Sequence, residues 1–429
     1  MKKLVSLLLS LLLLASIASA SAEPVKIRYY NLWPKDESSL SATLYYQLYD
    51  EFRQAYPDIE LEIIADSHEA WATKVKTMMV ANDLTEVFIS QPSDFSVYAD
   101  SGVYYDFTDD LEADPEWKES FLPGSLDILA KDGRVYGIPH SGYVEGVFYN
   151  QQLFDQFGLT YPNTFEELLE CVKVFNENGI ATFSVGAKDG WPITMYTQFL
   201  MDREMGYDYF ERACSDAEAT LEMPEYVEAF NKFLQLVEAG AFSESAAGAS
   251  ADDAITAFLQ GKVAMMVNGD WACANILAVE DQEFIDNVHF ANFPTIDGGK
   301  GVQSASCVGF GKSFCISNSA TDEEKAAALT FVKFMNNSEV SARFLETAST
   351  VTANRPVGAD ESKLSPLYLE ITGISSAAEQ TWAAYGEFIT PGFYDEMNKI
   401  GQQLLMNSIS AEDAASSMEK ARLEFQIDQ

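Results

Sequence analysis

Short apolar runs alternate with helical patterns in the first part of the chain. Leu44, Leu48 and Phe52 recur at helical spacing, and residues 59–65 place their acidic side chains on alternate positions, as a half-buried strand does. These patterns predict a strand at 25–33, a helix at 39–55, a strand at 59–65, a helix at 69–80 and a strand at 86–90. This order predicts an α/β fold with a mainly parallel sheet covered by helices on both faces.

A second series of strands and helices begins after the turn at 131–134. Thr164 with Glu167, and Thr321 with Glu324, have the spacing of capping boxes, and Gly179 closes the helix that Thr164 begins. The series predicts strands at 142–149, 181–185, 263–267 and 288–293, and helices at 192–212, 224–239, 252–260, 338–348 and over most of 379–425. No flexible linker divides the chain, so two lobes would have to be joined by strand crossovers.

The N-terminus has the layout of a secretory signal peptide. Lys2 and Lys3 precede an apolar run over 4–14, and small residues end in Ala20-Ser21-Ala22. The run is shorter than the roughly 20 residues of a bilayer span. No cysteine follows it, which argues against a lipid anchor. We therefore expect cleavage near residue 22 and a protein that is periplasmic or released to the exterior.

Charge and cysteine content narrow the possible partners. The 429 residues include 66 Asp and Glu against 27 Lys and Arg, a formal charge of −39, which would repel a phosphate backbone and argues against nucleic-acid binding. The negative charge of the chain favours a cationic ligand as an alternative. The five cysteines form no CxxC pair, so no zinc site is indicated, and we predict that they are buried and reduced.

Catalytic motifs are missing from the sequence. The three histidines are not spaced as metal ligands, and GxSxG, P-loop and HExxH patterns are absent, so we predict a protein without cofactor or catalytic activity. The acidic stretch at 106–114 leaves a calcium ion open, although it lacks EF-hand spacing. The many acidic pairs also leave a pair of catalytic carboxylates open.

Several predicted strand ends carry an aromatic or short polar side chain. Ligands of open α/β sheets lie outside the carboxyl ends of the strands. Aromatic faces with short polar groups suit a sugar, whose ring stacks while its hydroxyls need hydrogen-bond partners. Core packing is the alternative for each tryptophan, and His140 fits either a cleft or a bend. The candidates found in this way are Trp33, Ser90, Gln91, Asp94, Trp191, Asp270, Trp271 and Trp382.

Ordered motifs along the mature chain then suggest a family. They are Val135-Tyr136-Gly137-Ile138-Pro139, Tyr149-Asn150, Pro162-Asn163-Thr164-Phe165-Glu166-Glu167, the run from Phe258 to Met266, and Gly269-Asp270-Trp271. In these motifs the chain resembles the family 1 extracellular solute-binding proteins of ABC importers, the group that contains maltose-binding protein. The resemblance implies a monomer that delivers a sugar to membrane permease subunits.

The resemblance also implies a fold and further site residues. The fold is the two-lobed, class II periplasmic-binding-protein fold, with ligand between lobes that close about a hinge. The implied first lobe is 23–138 plus 294–336, the second is 142–288 plus 342–429, and the hinges lie near 138–142, 288–294 and 336–342. Trp271 matches a stacking tryptophan of the family, Trp191 stands at a stacking tyrosine, and Tyr394 stands near another tryptophan. Tyr143 falls at an acidic contact, with Glu145 two residues on.

The predicted function is capture of a mono- or oligosaccharide. Ser90 stands where maltose-binding protein has tryptophan, which argues against a maltodextrin. Two alternatives remain open from the residues: a receptor for a polyamine or basic peptide, and an exported carbohydrate-active enzyme.

Overall fold

The described residues form two large β-sheets and a two-stranded sheet of residues 130–131 with 134–135, and the strand–helix units at the start of the chain belong to the first large sheet. The computed structural model describes residues 23–35 and 38–427, so the predicted signal peptide lies outside the described residues. The strands are β1 (Val25–Asn31), β2 (Ile59–Ala65), β3 (Val87–Ser90), β4 (Ala130–Lys131), β5 (Arg134–Val135), β6 (Ile138–Pro139), β7 (Gly142–Asn150), β8 (Ala181–Phe183), β9 (Val263–Gly269), β10 (Val288–Ala291), β11 (Ser306–Phe310), β12 (Ser313–Ile316) and β13 (Thr381–Trp382).

Helices cover both sheets and follow the patterns closely in most of the chain. They are α1 (Leu40–Ala55), α2 (His68–Ala81), α3 (Pro92–Tyr98), α4 (Thr108–Ala113), α5 (Pro115–Ser120), α6 (Gln151–Gln156), α7 (Phe165–Glu177), α8 (Trp191–Met205), α9 (Tyr207–Ala213), α10 (Pro224–Glu238), α11 (Ala251–Leu259), α12 (Cys273–Ile276), α13 (Gln282–Asp286), α14 (Asp322–Met335), α15 (Ser338–Ala348), α16 (Pro366–Ala377), α17 (Pro391–Leu405) and α18 (Ala411–Arg422).

The two sheets differ in strand direction. The first has the order β2-β1-β3-β12-β6, with β1 parallel to β2 and β3, and with β12 antiparallel to β3 and β6. The second has the order β13-β11-β7-β9-β8, with β10 also paired to β7, and its long strand β7 is antiparallel to β9, β10 and β11. The mainly parallel prediction therefore holds for β1–β3 and is wrong for the second sheet.

Each sheet supports a separate apolar core. The rings of Tyr29 and Phe314 stack at 5.1 Å in the first core, and Phe331 of α14 packs against both. In the second core, the rings of Phe199 and Phe293 stack at 5.2 Å. The predicted two-lobed α/β fold is confirmed.

The chain passes between the sheets at three places in the described residues. Residues 140–141 join β6 to β7, and residues 311–312 join β11 to β12. The third passage begins at residues 349–352 after α15, remains bonded to first-lobe residues 120–122 through residues 353–355, and reaches the second sheet with α16. Because β11 pairs with β7, residues 306–310 lie with the second sheet, and not in the first lobe as the boundary at 294 predicted. Helix α15 belongs to the first core through Val340 and Phe344, so the second lobe does not begin at residue 342 as predicted.

The C-terminal region departs most from the sequence pattern. The helix expected over most of 379–425 is divided into strand β13 and helices α17 and α18, and helix α16 was not predicted. By contrast, Thr321 and Glu324 form the predicted reciprocal capping box. Thr164 caps α7 as predicted, but the Glu167 carboxylate accepts from the Asn163 amide instead of the Thr164 amide. All five cysteines are buried and unpaired, as predicted.

A buried arginine fastens the connection between β10 and β11 to helix α8. The Arg203 guanidinium donates to the Asp202 carboxylate at 2.6 Å, to the side-chain oxygen of Asn292 at 3.0 Å and to the carbonyl of Ala305 at 3.2 Å. Arg203 is fully buried, and burial raises the pKa of Asp202 to about 6. Each residue of this ion pair therefore offsets the buried charge of the other.

We expect Arg203→Met to lower the free energy of unfolding by about 3–5 kcal/mol, because it leaves the Asp202 carboxylate buried without its cation. Urea denaturation measures this cost. The matched control is Arg343→Met, which breaks the partly exposed pair between Arg343 and Glu51 and should cost less than about 1 kcal/mol. Equal costs for the two variants would contradict a structural role of the buried network.

Candidate functional site

Neighbouring crossovers hold the two sheets edge to edge. The His140 amide donates to the Lys312 carbonyl at 2.9 Å, and the Gly311 amide donates to the Ser141 carbonyl at 3.1 Å. The Gly142 amide donates to the Val351 carbonyl at 3.1 Å. These bonds keep the crossovers side by side, so side chains from both lobes meet above them.

Two aromatic side chains of the second lobe lie near the N-terminal ends of helical segments. Trp191 is the first residue of α8 and follows Gly190, whose φ of +81° suits glycine. The Trp271 ring folds back on Gly269, where an added Cβ would lie 2.0 Å from the ring, so this position needs glycine. The two indoles meet edge to face at 6.2 Å, and both remain partly exposed.

The first lobe contributes the start of helix α2 to the same region. The ring of His68 lies 6.1 Å from the Trp191 ring. The pKa of the Glu69 carboxyl is lowered to about 2, chiefly by His68 and further by the Trp191 indole. Residues of both lobes therefore share one aromatic wall.

Ionisable groups of both lobes meet below this wall. Lys312, on the crossover itself, donates from Nζ to the side-chain oxygen of Gln91 at 2.6 Å. The same Nζ lies 3.8 Å from Oε1 of Glu387 in the second lobe and 5.5 Å from the centre of the Trp71 ring. One lysine thus links the hinge, the first-lobe loop and the second lobe.

Asp94 is the most enclosed acid of this cluster. Its side chain is 0% exposed, and neither carboxylate oxygen hydrogen-bonds to a protein group among the described residues. Lys76 Nζ lies 3.9 Å from Oδ1. Burial raises the pKa of Asp94 to about 6 despite the opposing charges of Lys76 and Lys312.

Two further carboxyls lie deeper in the second lobe. Glu145 accepts from Gln198 Nε2 at 2.6 Å, and burial raises its pKa to about 8. Asp270 accepts from the amides of Val144 and Val351 at 3.0 and 2.7 Å, and burial raises its pKa to about 7. Asp270 therefore fastens the third crossover to β7 through main-chain bonds.

The structure brings some of the predicted site residues together and places others in supporting positions. Gln91 and Asp94 belong to the cluster around Lys312, whereas Trp191 and Trp271 contact each other in the aromatic wall. Ser90 is turned into the first core, where its hydroxyl pairs with Tyr104, and Trp382 is 2% exposed within the second core. The remaining buried supports are Tyr143, Glu145 and Asp270.

Two further aromatic candidates lie near the first crossover and near the carboxyls of the second lobe. The Trp33 ring is partly exposed and stacks on Tyr45 at 4.5 Å, next to the buried His140 of the first crossover. Tyr394 is partly buried, and its ring lies against Gly386. The charges of Glu145 and Glu387 add to burial in raising the pKa of Tyr394.

Five residues of the cleft were missed by the sequence reasoning: His68, Glu69, Lys76, Lys312 and Glu387. His68 and Glu69 follow the carboxyl end of β2, so the rule that found Ser90 and Asp94 would also have found them. Trp71 is fully buried, and its ring faces Lys312. Nothing in the local sequence distinguishes Lys312 or Glu387 from other charged residues.

The calcium alternative lacks a suitable cluster in the described part of the chain. There, no three His, Cys, Asp or Glu side chains are placed to hold a metal ion. Asp106 pairs with Arg134 and Thr108, Asp110 accepts from Tyr105, and Asp114 pairs with Lys333. Within the same described residues, no helix is both long and apolar enough to span a bilayer.

Buried acids make stability depend on pH. The pKa values of Asp94, Asp270 and Glu145, about 6, 7 and 8, exceed the values near 4 of an unfolded chain. Through these acids and Asp202 the folded state binds more protons between about pH 4 and 8. The buried His140, whose pKa is lowered to about 4, opposes this in the lower half of the window, but the four acids outweigh it, so the free energy of unfolding falls as pH rises.

We accordingly expect the melting temperature of the ligand-free protein to rise as the pH is lowered from 8 to 5. Differential scanning fluorimetry across this range measures the effect. In Asp94→Asn the slope between pH 7 and 5 should be smaller, because one of the raised titrations is gone. A melting temperature that falls over the same range would contradict the assignment.

Comparison with known proteins identifies the family. Residues 35–342 match the profile described as bacterial extracellular solute-binding protein. The multiple sugar-binding protein of Streptococcus mutans is 24% identical over 378 residues, which cover 85% of this chain and 83% of that one. A solved structure from work on xylan utilization by the thermophilic bacterium Caldanaerobius polysaccharolyticus is 25% identical. Its TM-score is 0.86, and the match covers 92% of this chain and 99% of the other. A structure named chitin oligosaccharide binding protein is 23% identical, with a TM-score of 0.85 over 93% and 99%. The chain belongs to the family of bacterial extracellular solute-binding proteins.

Proposed function

We propose that this chain is the extracytoplasmic binding component of an ABC importer, and that it captures a mono- or oligosaccharide between its lobes without altering it. One observation carries the proposal. The partly exposed indoles of Trp191 and Trp271 meet His68 of the first lobe. The adjoining contacts of Trp71 with His68 and with Lys312 lead to the cluster in which buried carboxylate oxygens of Asp94 and Glu387 lack hydrogen-bond donors among the described residues.

This combination suits the two faces of a sugar ring. The C–H face of a pyranose packs on an indole, which offers a large apolar area at little entropic cost. The hydroxyls around the ring donate to carboxylate oxygens, and hydrogen bonds to charged acceptors are worth about 1.5–3 kcal/mol each. A ligand of this chemistry would satisfy both halves of the site at once.

The related proteins support the same ligand class. The Streptococcus mutans relative is named for multiple sugars, and the solved relative at 25% identity comes from work on xylan utilization. Membership of the family supports export and partnership with a membrane permease. We propose that the protein is located in the periplasm or at the outer surface.

Capture would proceed by closure about the three crossovers. The contacts of His68 with Trp191 and of Lys312 with Glu387 join opposite lobes, so they would form only as the lobes approach. We propose hinges at 140–141, 311–312 and 349–352. The first lies within the predicted segment 138–142, whereas the other two lie outside the predicted segments 288–294 and 336–342. Closure would remove the ligand from water and strengthen every polar contact within the cleft.

A screen of ligands by thermal shift tests the proposal directly, because a compound that binds only the folded state raises its melting temperature. The panel should contain xylotriose, raffinose, chitotriose, maltotriose, galactose and glucose, together with spermidine for the cationic alternative. Stabilisation by at least one saccharide and recovery of that saccharide unchanged is the expected result. A shift with spermidine alone would favour the polyamine receptor, and a hydrolysis product would favour the enzyme.

With a saccharide identified, we expect Trp191→Ala and Trp271→Ala each to weaken its binding by about tenfold or more, because a buried tryptophan contact often contributes about 2 kcal/mol or more. Isothermal titration calorimetry gives the affinities. Tyr56→Ala serves as the control, since Tyr56 is an exposed aromatic at the end of α1. Unchanged affinity in both tryptophan variants would remove the proposed stacking platform.

A further inference from the structure

The cleft contains both lysines and acids, so its charge preference is not evident from composition. The groups that face one another are Lys76, Gln91, Asp94 and Lys312 of the first lobe and crossover, and Glu387 of the second lobe. Two lysines in a cleft could indicate a ligand with a carboxylate or phosphate. Whether they do depends on what the lysines already contact.

Both lysines are already engaged by protein groups. Lys312 donates to Gln91 at 2.6 Å, faces the Trp71 ring and lies 3.8 Å from the Glu387 carboxylate, with only 17% of its side chain exposed. Lys76 lies 3.9 Å from Asp94. Each ammonium therefore has a carboxylate beside it, which reduces the attraction that it would exert on an anionic ligand.

The acids, by contrast, have acceptor atoms to spare. Asp94 Oδ1, Asp94 Oδ2 and Glu387 Oε2 are buried and hydrogen-bond to no protein group among the described residues. Burial raises the pKa of both carboxyls even though Lys312 opposes the shift in each, so their negative charge is under-compensated. Hydroxyl donors would satisfy these atoms, whereas an added negative charge would be repelled at low dielectric.

We propose that Asp94 and Glu387 make the cleft selective by charge, so that its substrates are uncharged, hydroxyl-rich saccharides and their uronic acid and phosphate derivatives are excluded. This inference rests on the proposed saccharide function. Asp94 and Glu387 come from opposite lobes, and therefore an anionic group would be opposed from both sides in the closed cleft.

Matched ligands that differ only in charge test the inference. The probes are glucose with glucuronate and glucose 6-phosphate, galactose with galacturonate, and xylotriose with its glucuronosyl derivative, each titrated by calorimetry at pH 7.5 and fixed ionic strength. We expect each anionic member to bind at least about tenfold more weakly than its neutral parent. An anionic member that binds as tightly as its parent overturns the inference.

Isosteric variants assign the selectivity to the two carboxylates. Asp94→Asn and Glu387→Gln keep an oxygen acceptor but remove the charge, so each should reduce the preference for the neutral partner by about tenfold. Asp127→Asn removes the same charge from an exposed position of the first lobe and should leave the ratio unchanged, which separates the local effect from the net charge of −39.

The outcomes separate this inference from the proposed function. If neutral saccharides bind and both cleft variants keep the wild-type ratio, charge selectivity by Asp94 and Glu387 is wrong while saccharide capture stands. If no saccharide of either panel binds, the proposed function fails and this inference falls with it. Melting curves of each variant establish that it is folded before its affinities are compared.

Discussion

Crossing between two sheets is the constraint on which the rest of this structure depends. Each crossover carries main-chain amides and carbonyls through a region where both lobes limit the access of water, and buried groups of this kind must be paired. The chain solves this by pairing the crossovers with one another, through Lys312 with His140 and Gly311 with Ser141. The Asp270 carboxylate completes the arrangement by accepting from Val144 and Val351.

The cleft inherits its position and its chemistry from this arrangement. Because the crossovers lie side by side, the strand ends of both sheets face one another directly above them. The side chain of Lys312 extends from the crossover into the cleft, where it reaches Gln91 and approaches Glu387. A residue of the hinge is thus also part of the proposed ligand site, which connects closure to binding through one side chain.

Burial in the cleft is costly for the ligand-free protein. Carboxyls such as Asp94 and Glu387 lose hydration without full compensation, which the raised pKa values report. Stability given up at a binding site in this way is recovered when a ligand supplies the missing donors. The buried pair of Asp202 and Arg203 lies away from the cleft, and its guanidinium donates to Asn292 and Ala305, which hold the connection between β10 and β11.

The sequence by itself determined the family, the α/β class and most helix and strand positions, because these follow from local periodicity, caps and turn residues. It also selected Asp94, Trp191 and Trp271 as candidates, since the carboxyl ends of strands are visible in the pattern. Strand order in the second sheet, the role of Asp270 and the cleft positions of Lys312 and Glu387 were decided only by the tertiary structure. Residues 312 and 387 are 75 positions apart, and no local pattern records a contact that forms only when two lobes are packed together.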